Sequence, residues 1–129
     1  MSFTEARHEV LANNISNFDT VGYQARDLPV AEFQEALSAA VARREQAGAG
    51  AGLALESTRH LRWDGGGRLA SEATPVRGEE GDILYHDRNN RFVEKQMSEL
   101  AQNGLLHNVA AELLRSEYGL LQTAIRGRL

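Results

Sequence analysis

The chain has 129 residues, no cysteine, two prolines, 42% apolar residues and a net charge of −4. Without cysteine there is no disulfide scaffold, thiol nucleophile or cysteine-ligated metal centre, and the acidic balance opposes a whole-chain affinity for nucleic acid phosphates. No apolar run approaches the roughly 20 residues that span a bilayer, and the N-terminus lacks the basic and apolar regions of a signal peptide, so neither insertion nor leader cleavage is expected.

The first predicted helix runs from about Thr4 to Ser16, with Leu11, Ile15 and Phe18 at i, i+4 and i+7 and Val10 beside them. Ser2 or Thr4 is its candidate cap. Asn17-Phe18-Asp19-Thr20-Val21-Gly22 then reads as a turn closed by a glycine. A second helix is predicted from about Val30 to Gln46, with Asp27 and Pro29 at its start and Phe33, Ala36, Leu37, Ala40 and Val41 along one face. The alternating glycines Gly48, Gly50 and Gly52 stop it, since each costs about 1 kcal/mol in a helix relative to alanine.

Residues 48–89 change character. They are glycine-rich, with short mixed runs such as Leu53-Ala54-Leu55 and Ile83-Leu84-Tyr85, and read as loops with one or two short strands. The last helix is predicted from Asn90 to about Arg126, capped by Asn89 or Asn90, with Gly127 just beyond its end. Its stripe includes Met97, Leu100, Leu106, Val109, Leu113, Leu114, Tyr118, Leu121 and Ile125. The chain therefore divides into an N-terminal helical arm (1–47), a Gly-rich irregular or short-strand segment (48–89) and a long C-terminal helix (90–129), a mainly α fold.

The lengths do not match. At a rise of ~1.5 Å per residue the last helix spans roughly 55 Å and the first only about 20–26 Å, so the first cannot mask the whole stripe. A second helix folding back would add only a narrow, alanine-rich face. An apolar stripe without a partner in its own chain is expected to be covered by other subunits. Charge is uneven too: residues 1–42 carry a net −4 and residues 90–129 a net +1, so the two arms would attract weakly.

No catalytic, cofactor-binding or metal-binding residue emerges. His8, His60, His86 and His107 lack metal-ligand spacing and read as surface histidines. Gly65-Gly66-Gly67-Arg68 lacks the Gly-Lys-Ser/Thr ending of a phosphate loop, and the 48–52 glycines follow a helix where a dinucleotide fingerprint requires a strand. Glu79, Glu80 and Asp82 read as solvated charge. The serines form no triad, and acids offset the arginines around Trp63. The expectation is a protein that is not an enzyme and needs no cofactor.

One string is far more specific. Residues 11–27, from Leu11-Ala12-Asn13-Asn14-Ile15-Ser16-Asn17 through Thr20, Gly22 and Tyr23 to Ala25-Arg26-Asp27, resemble the signature LAxNIAN-x-x-T-x-GY of bacterial flagellar rod and hook proteins. Ser16 stands in the alanine position. The Ala25-Arg26-Asp27 extension, and the ending Leu121-Gln122-Thr123-Ala124-Ile125-Arg126, resemble the FlgB-type rod family in particular. The rod-signature residues are Leu11, Asn13, Asn14, Ile15, Asn17, Thr20, Gly22 and Tyr23.

The resemblance implies a structural subunit of the proximal rod of the flagellar basal body, whose N- and C-terminal helices pair as a coiled-coil-like domain and assemble around an export channel. It implies type III export into the periplasm, contacts with other rod subunits and a FliE-type junction protein, and self-association, with no nucleic acid and no membrane insertion. Leu106, Val109, Leu113 and Leu121 are the expected subunit contacts. A different rod or hook-junction subunit, or a soluble helical adaptor or export chaperone, remain the alternatives. Ten residues precede Leu11 where the family usually carries one or two further helical turns, so an earlier in-frame start or a naturally short arm is expected. His86-Asp87-Arg88-Asn89-Asn90 stands where the family approaches its last helix through Asp-Gly-Asn.

Overall fold

The computed structural model describes residues 1–48, 52–64, 68–70, 74–75 and 88–127. Ile83-Leu84-Tyr85, the Glu79, Glu80 and Asp82 group, Gly65–Gly67 and His86 lie outside the described residues.

The first helix, α1, covers Ser2–Ser16. It begins earlier than its polar residues suggested, and neither Ser2 nor Thr4 caps it: the Thr4 hydroxyl sits inside the first turn and donates to the carbonyl of Met1 at 2.7 Å. Asn17 ends the helix twice over. Its N–H and its side-chain amide both donate to the carbonyl of Asn13, at 3.1 and 2.9 Å. The turn then closes through Thr20 N–H to Asn17 O and Tyr23 N–H to Thr20 O, at 3.0 and 3.1 Å. Gly22 takes φ +79°, a conformation that only glycine adopts without strain.

The chain next forms a two-residue strand, β1 (Arg26–Asp27), antiparallel to β2 (Thr74–Pro75), with Arg26 opposite Pro75 and Asp27 opposite Thr74. The second helix, α2, covers Val30–Ala47 and stops at Gly48 with φ +85°. Asp27 does not cap it. Pro29 occupies the N-cap position, and the Asp27 carboxylate instead accepts from the Leu28 N–H at 2.7 Å and faces α1.

The apolar core is small and sits where these pieces meet. Phe3, Leu28 and Leu61 are buried, with Ala6, Val30, Phe33, Trp63 and Leu69 packed around them. Phe3 and Phe33 stack with centroids 4.1 Å apart, and Trp63 tilts against Phe33 at 6.1 Å. Residues 57–64 and 68–70 reach this core and are tied to each other by their backbones: Ala70 N–H bonds Arg62 O at 2.6 Å, Asp64 N–H bonds Arg68 O at 2.9 Å, and Trp63 bridges Leu69. Trp63 thus packs, half-buried, against the core. At the far end of α2, Ala40 is buried and Arg43 pairs with Glu56 of the following segment.

The third helix, α3, covers Arg88–Ile125, 38 residues or about 57 Å against about 22 Å for the 15 residues of α1. Its start inside Arg88-Asn89-Asn90 places both expected cap asparagines within the helix. At its end Gly127 has φ +61° and its N–H bonds Ala124 O, as expected of a residue just past a helix. The N- and C-terminal helices pack together, antiparallel, with Asn14 against Gln96 and Thr4 against Asn103 and His107. α2 does not fold back on α3, because Phe33 commits its first turns to the core at the N-terminus of α1.

Candidate assembly surface

The α1–α3 seam is polar. On α1 the buried positions are Phe3, Arg7, Leu11 and Asn14, at i, i+4, i+8 and i+11, one helical face. Asn14 is fully buried and its amide is saturated. Its Nδ2 donates to Arg26 O at 2.6 Å and to Gln96 Oε1 at 2.8 Å, while its Oδ1 accepts from the Tyr23 hydroxyl and the Arg26 N–H, both at 3.0 Å. A single side chain therefore ties together the body of α1, the turn after it, β1 and the start of α3.

A second tie lies one face-step earlier. Arg7 Nε and Nη2 each bond an Asp27 carboxylate oxygen at 2.9 Å, a bidentate pair whose side chains are 11% and 21% exposed. The hydrogen bond to Asp27 raises the Arg7 pKa against the opposing effect of burial, with Glu99 of α3 adding to it. Arg7 is therefore charged throughout the accessible pH range. At the N-terminal end of α1, Asn103 Nδ2 donates to Thr4 O at 2.8 Å and His107 Nδ1 lies 2.9 Å from Thr4 Oγ1.

Arg7, Gln96 and Asn103 were not singled out from sequence, because hydropathy marks each as a surface residue. The available signal was spacing: Arg7, Leu11 and Asn14 share a face on α1, and Gln96, Asn103 and His107 fall at i, i+7 and i+11 on α3. Of the signature residues, Leu11 and Asn14 are buried, Ile15, Asn17 and Tyr23 are half-buried, and Asn13, Thr20 and Gly22 are exposed. Phe18 is exposed, because α1 ends two residues before it.

α3 is exposed at most positions from Leu105 onward and at every one from Glu112 to Gly127. There Leu106, Val109, Leu113 and Leu121 are 57, 50, 64 and 58% exposed, and Leu114, Tyr118, Leu120 and Ile125 are exposed with them. Between residues 106 and 125 these side chains cover about half of the helix circumference at 100° per residue. Glu112 and Arg115, paired at 2.8 Å, lie on the other half. Gly104 and Gly119 have open space where a Cβ would project, so neither serves a close approach within the chain.

Glu32, in the first turn of α2, accepts from Thr58 Oγ1 at 2.8 Å and pairs with His60 Nδ1 at 2.5 Å. The His60 contact, then the Thr58 hydroxyl, holds the Glu32 carboxyl below its ordinary value. Among the described residues no group of histidines and carboxylates is placed to hold a metal ion, and no helix is long and apolar enough to cross a membrane.

The family described as "Flagella basal body rod protein" matches residues 1–24, which comprise α1 and its closing turn. The flagellar basal body rod protein FlgB of Aeromonas hydrophila is 33% identical over 98% of this chain and 87% of its own length. The proteins of the same name from Salmonella typhimurium and Bacillus subtilis are each 28% identical, over 94% and 98% of this chain and 83% and 88% of their own lengths.

Proposed function

Because the chain belongs to the FlgB family of flagellar basal-body rod proteins, as a structural subunit of that rod, we propose that it builds the proximal part of the rod through its terminal helices. In this reading the α1–α3 pair is the assembling unit, and Leu106, Val109, Leu113 and Leu121 are buried against neighbouring subunits. The subunit has no catalytic step. It reaches the periplasmic rod through the flagellar type III export apparatus and meets other rod subunits and a FliE-type junction protein there. Asn13, Thr20 and Tyr23 are the signature residues placed to meet a neighbour, whereas Leu11, Asn14, Asn17 and Gly22 shape the subunit itself.

One observation carries the reading: α3 runs on past the residues that bond Thr4, and its residues 112–127 form a half-apolar helix exposed at every position. Burying a leucine side chain stabilises by about 1.5–3 kcal/mol, so four such residues left in water forgo a stabilisation that assembly would recover.

Deleting the gene should give non-motile cells whose basal bodies lack a rod. Motile cells with intact rods would overturn the proposal. In the isolated full chain, amides of residues 108–127 should exchange hydrogen rapidly and become protected in basal bodies. A monomer already protected along all of α3 would contradict the assembly role assigned to this stretch.

A further inference from the structure

The protein carries a second unpartnered apolar feature, at the opposite end of the molecule from the α3 overhang. In the turn after α1, Val21 is fully exposed and Phe18 is 40% exposed. Asn14 lies against Gln96, so this turn stands level with the start of α3. The overhang positions Leu114 to Ile125 lie about 27–44 Å further along the helix from Gln96. The two features cannot meet within one chain.

Two features pair them. The α1-facing stripe of α3, Gln96, Asn103 and His107, continues as Leu114, Leu121 and Ile125, at i+18, i+25 and i+29, about five, seven and eight helical turns on. The overhang thus prolongs an interface that already receives an α1 helix, but with apolar side chains in place of polar ones. Finally, a contact between two different patches at opposite ends of one molecule is heterologous, and such contacts propagate as open helical arrays where they do not close.

We propose that the Phe18–Val21 turn of one copy docks on the Leu114, Tyr118, Leu121 and Ile125 face of the next copy, giving a head-to-tail contact along the rod. The proposal rests on the rod reading above and adds to it the pairing of surfaces. It also divides the overhang: the Leu114–Ile125 flank receives the turn, and the Leu106, Val109 and Leu113 flank remains for lateral neighbours.

The chain has no cysteine, so introduced cysteines report the contact without background. Full-length Val21→Cys and Leu121→Cys chains are co-expressed in cells lacking the original gene, oxidised in place, and analysed in isolated basal bodies. A mixed disulfide dimer is expected, and the double variant should give a ladder of multimers. Pairing Val21→Cys with Glu112→Cys, two and a half turns away on the opposite side of α3, should give at least about tenfold less product. As a second readout, Val21→Asp should leave the unfolding midpoint of the isolated chain unchanged and lower its content in basal bodies at least about tenfold.

Dimers formed only between two Leu121→Cys chains would show the overhangs pairing with each other and would overturn the proposal. So would the absence of any product through Val21→Cys, or its capture only by a different protein. If the wild-type chain is present in basal bodies while Val21→Cys stays uncrosslinked, the docking contact alone fails. If the wild-type chain is absent from them, the rod reading and the docking contact fail together.

Discussion

Asn14 is the residue whose removal the structure makes most costly for its size. Replacing it by alanine strips the hydrogen bonds that its amide makes with Arg26 N–H and C=O, the Tyr23 hydroxyl and Gln96. Not all partners suffer equally. Tyr23 is only half-buried and can turn to water, whereas the buried Gln96 keeps only the 3.4 Å contact of its Nε2 with Glu99 and loses the donor to its Oε1. The two Arg26 backbone groups cannot move without breaking β1. A buried polar group left unpaired costs about 1–3 kcal/mol, so Asn14→Ala should destabilise by roughly 2–4 kcal/mol. That is a large share of the ~5–15 kcal/mol typical of a domain.

Urea unfolding of the purified full chain, followed by far-UV circular dichroism, provides the assay. With a slope of about 1–3 kcal/mol per molar urea, the midpoint should fall by roughly 1–3 M. The other signature asparagines supply the controls. Asn13 is exposed, and Asn13→Ala should stay within about 0.5 kcal/mol of wild type. Asn17→Ala loses only its amide bond to Asn13 O and should cost about 0.5–1 kcal/mol. A double cycle with Gln96→Ala should return a coupling of about 1 kcal/mol across the seam. An Asn14→Ala chain as stable as wild type, or one no weaker than Asn13→Ala, would refute the assignment of Asn14 as the hub.

Removing the guanidinium in Arg7→Ala leaves the partly buried Asp27 without its bidentate partner and should cost about 2–3 kcal/mol, while Arg7→Lys keeps the charge but not the fork and should fall between; equal midpoints for all three chains would contradict this. Gly22→Ala should destabilise by about 1 kcal/mol through backbone strain alone, because no atom lies within 4 Å of the added methyl. The Glu32 carboxyl sits below its ordinary value, so its contribution is present above the unfolded-state pKa and disappears as pH falls through the lower folded-state value. Glu32→Gln should therefore flatten the decline of the urea midpoint between neutral pH and about pH 3, and an unchanged slope would show that the His60 and Thr58 contacts do not matter.

The parts of the fold legible in the sequence are those expressed over many residues. α2 begins at Val30 as its apolar spacing indicates and ends one residue beyond expectation, and the glycines at 48 and 127 stop their helices with positive φ. The unequal lengths of α1 and α3 were legible for the same reason. β1 was not, since two residues cannot show an alternation and its partner lies 48 positions away, at Thr74–Pro75. Phe18 misled because its i+7 relation to Leu11 holds only while the helix continues, and Asn17 ends α1 first. Trp63 stands among arginines that acids offset, a pattern that carries no sign of its burial. Its ring packs against the core beside Phe33, a contact no local pattern encodes.

The buried polar seam was the least legible element, and its placement has a physical logic. Apolar pairs tolerate sliding by a turn with little loss, whereas Asn14–Gln96 and Asn103–Thr4 are satisfied in one α1–α3 register only. A slip of one helical turn, about 5.4 Å, would leave several of these groups buried and unpaired at about 1–3 kcal/mol each. Polar side chains therefore fix how α1 lies on α3 at the expense of apolar burial. The apolar side chains are concentrated on the part of α3 that α1 does not reach, where they cannot compete for α1 in a wrong register. Specificity within the subunit and adhesion between subunits are thereby assigned to different lengths of one helix. Substituting leucine at both Asn14 and Gln96 tests this separation: it should lower the precision of the α1–α3 register, seen as broadened or doubled amide resonances in α1. A single sharp set of resonances from that variant would mean the polar seam is not what sets the register.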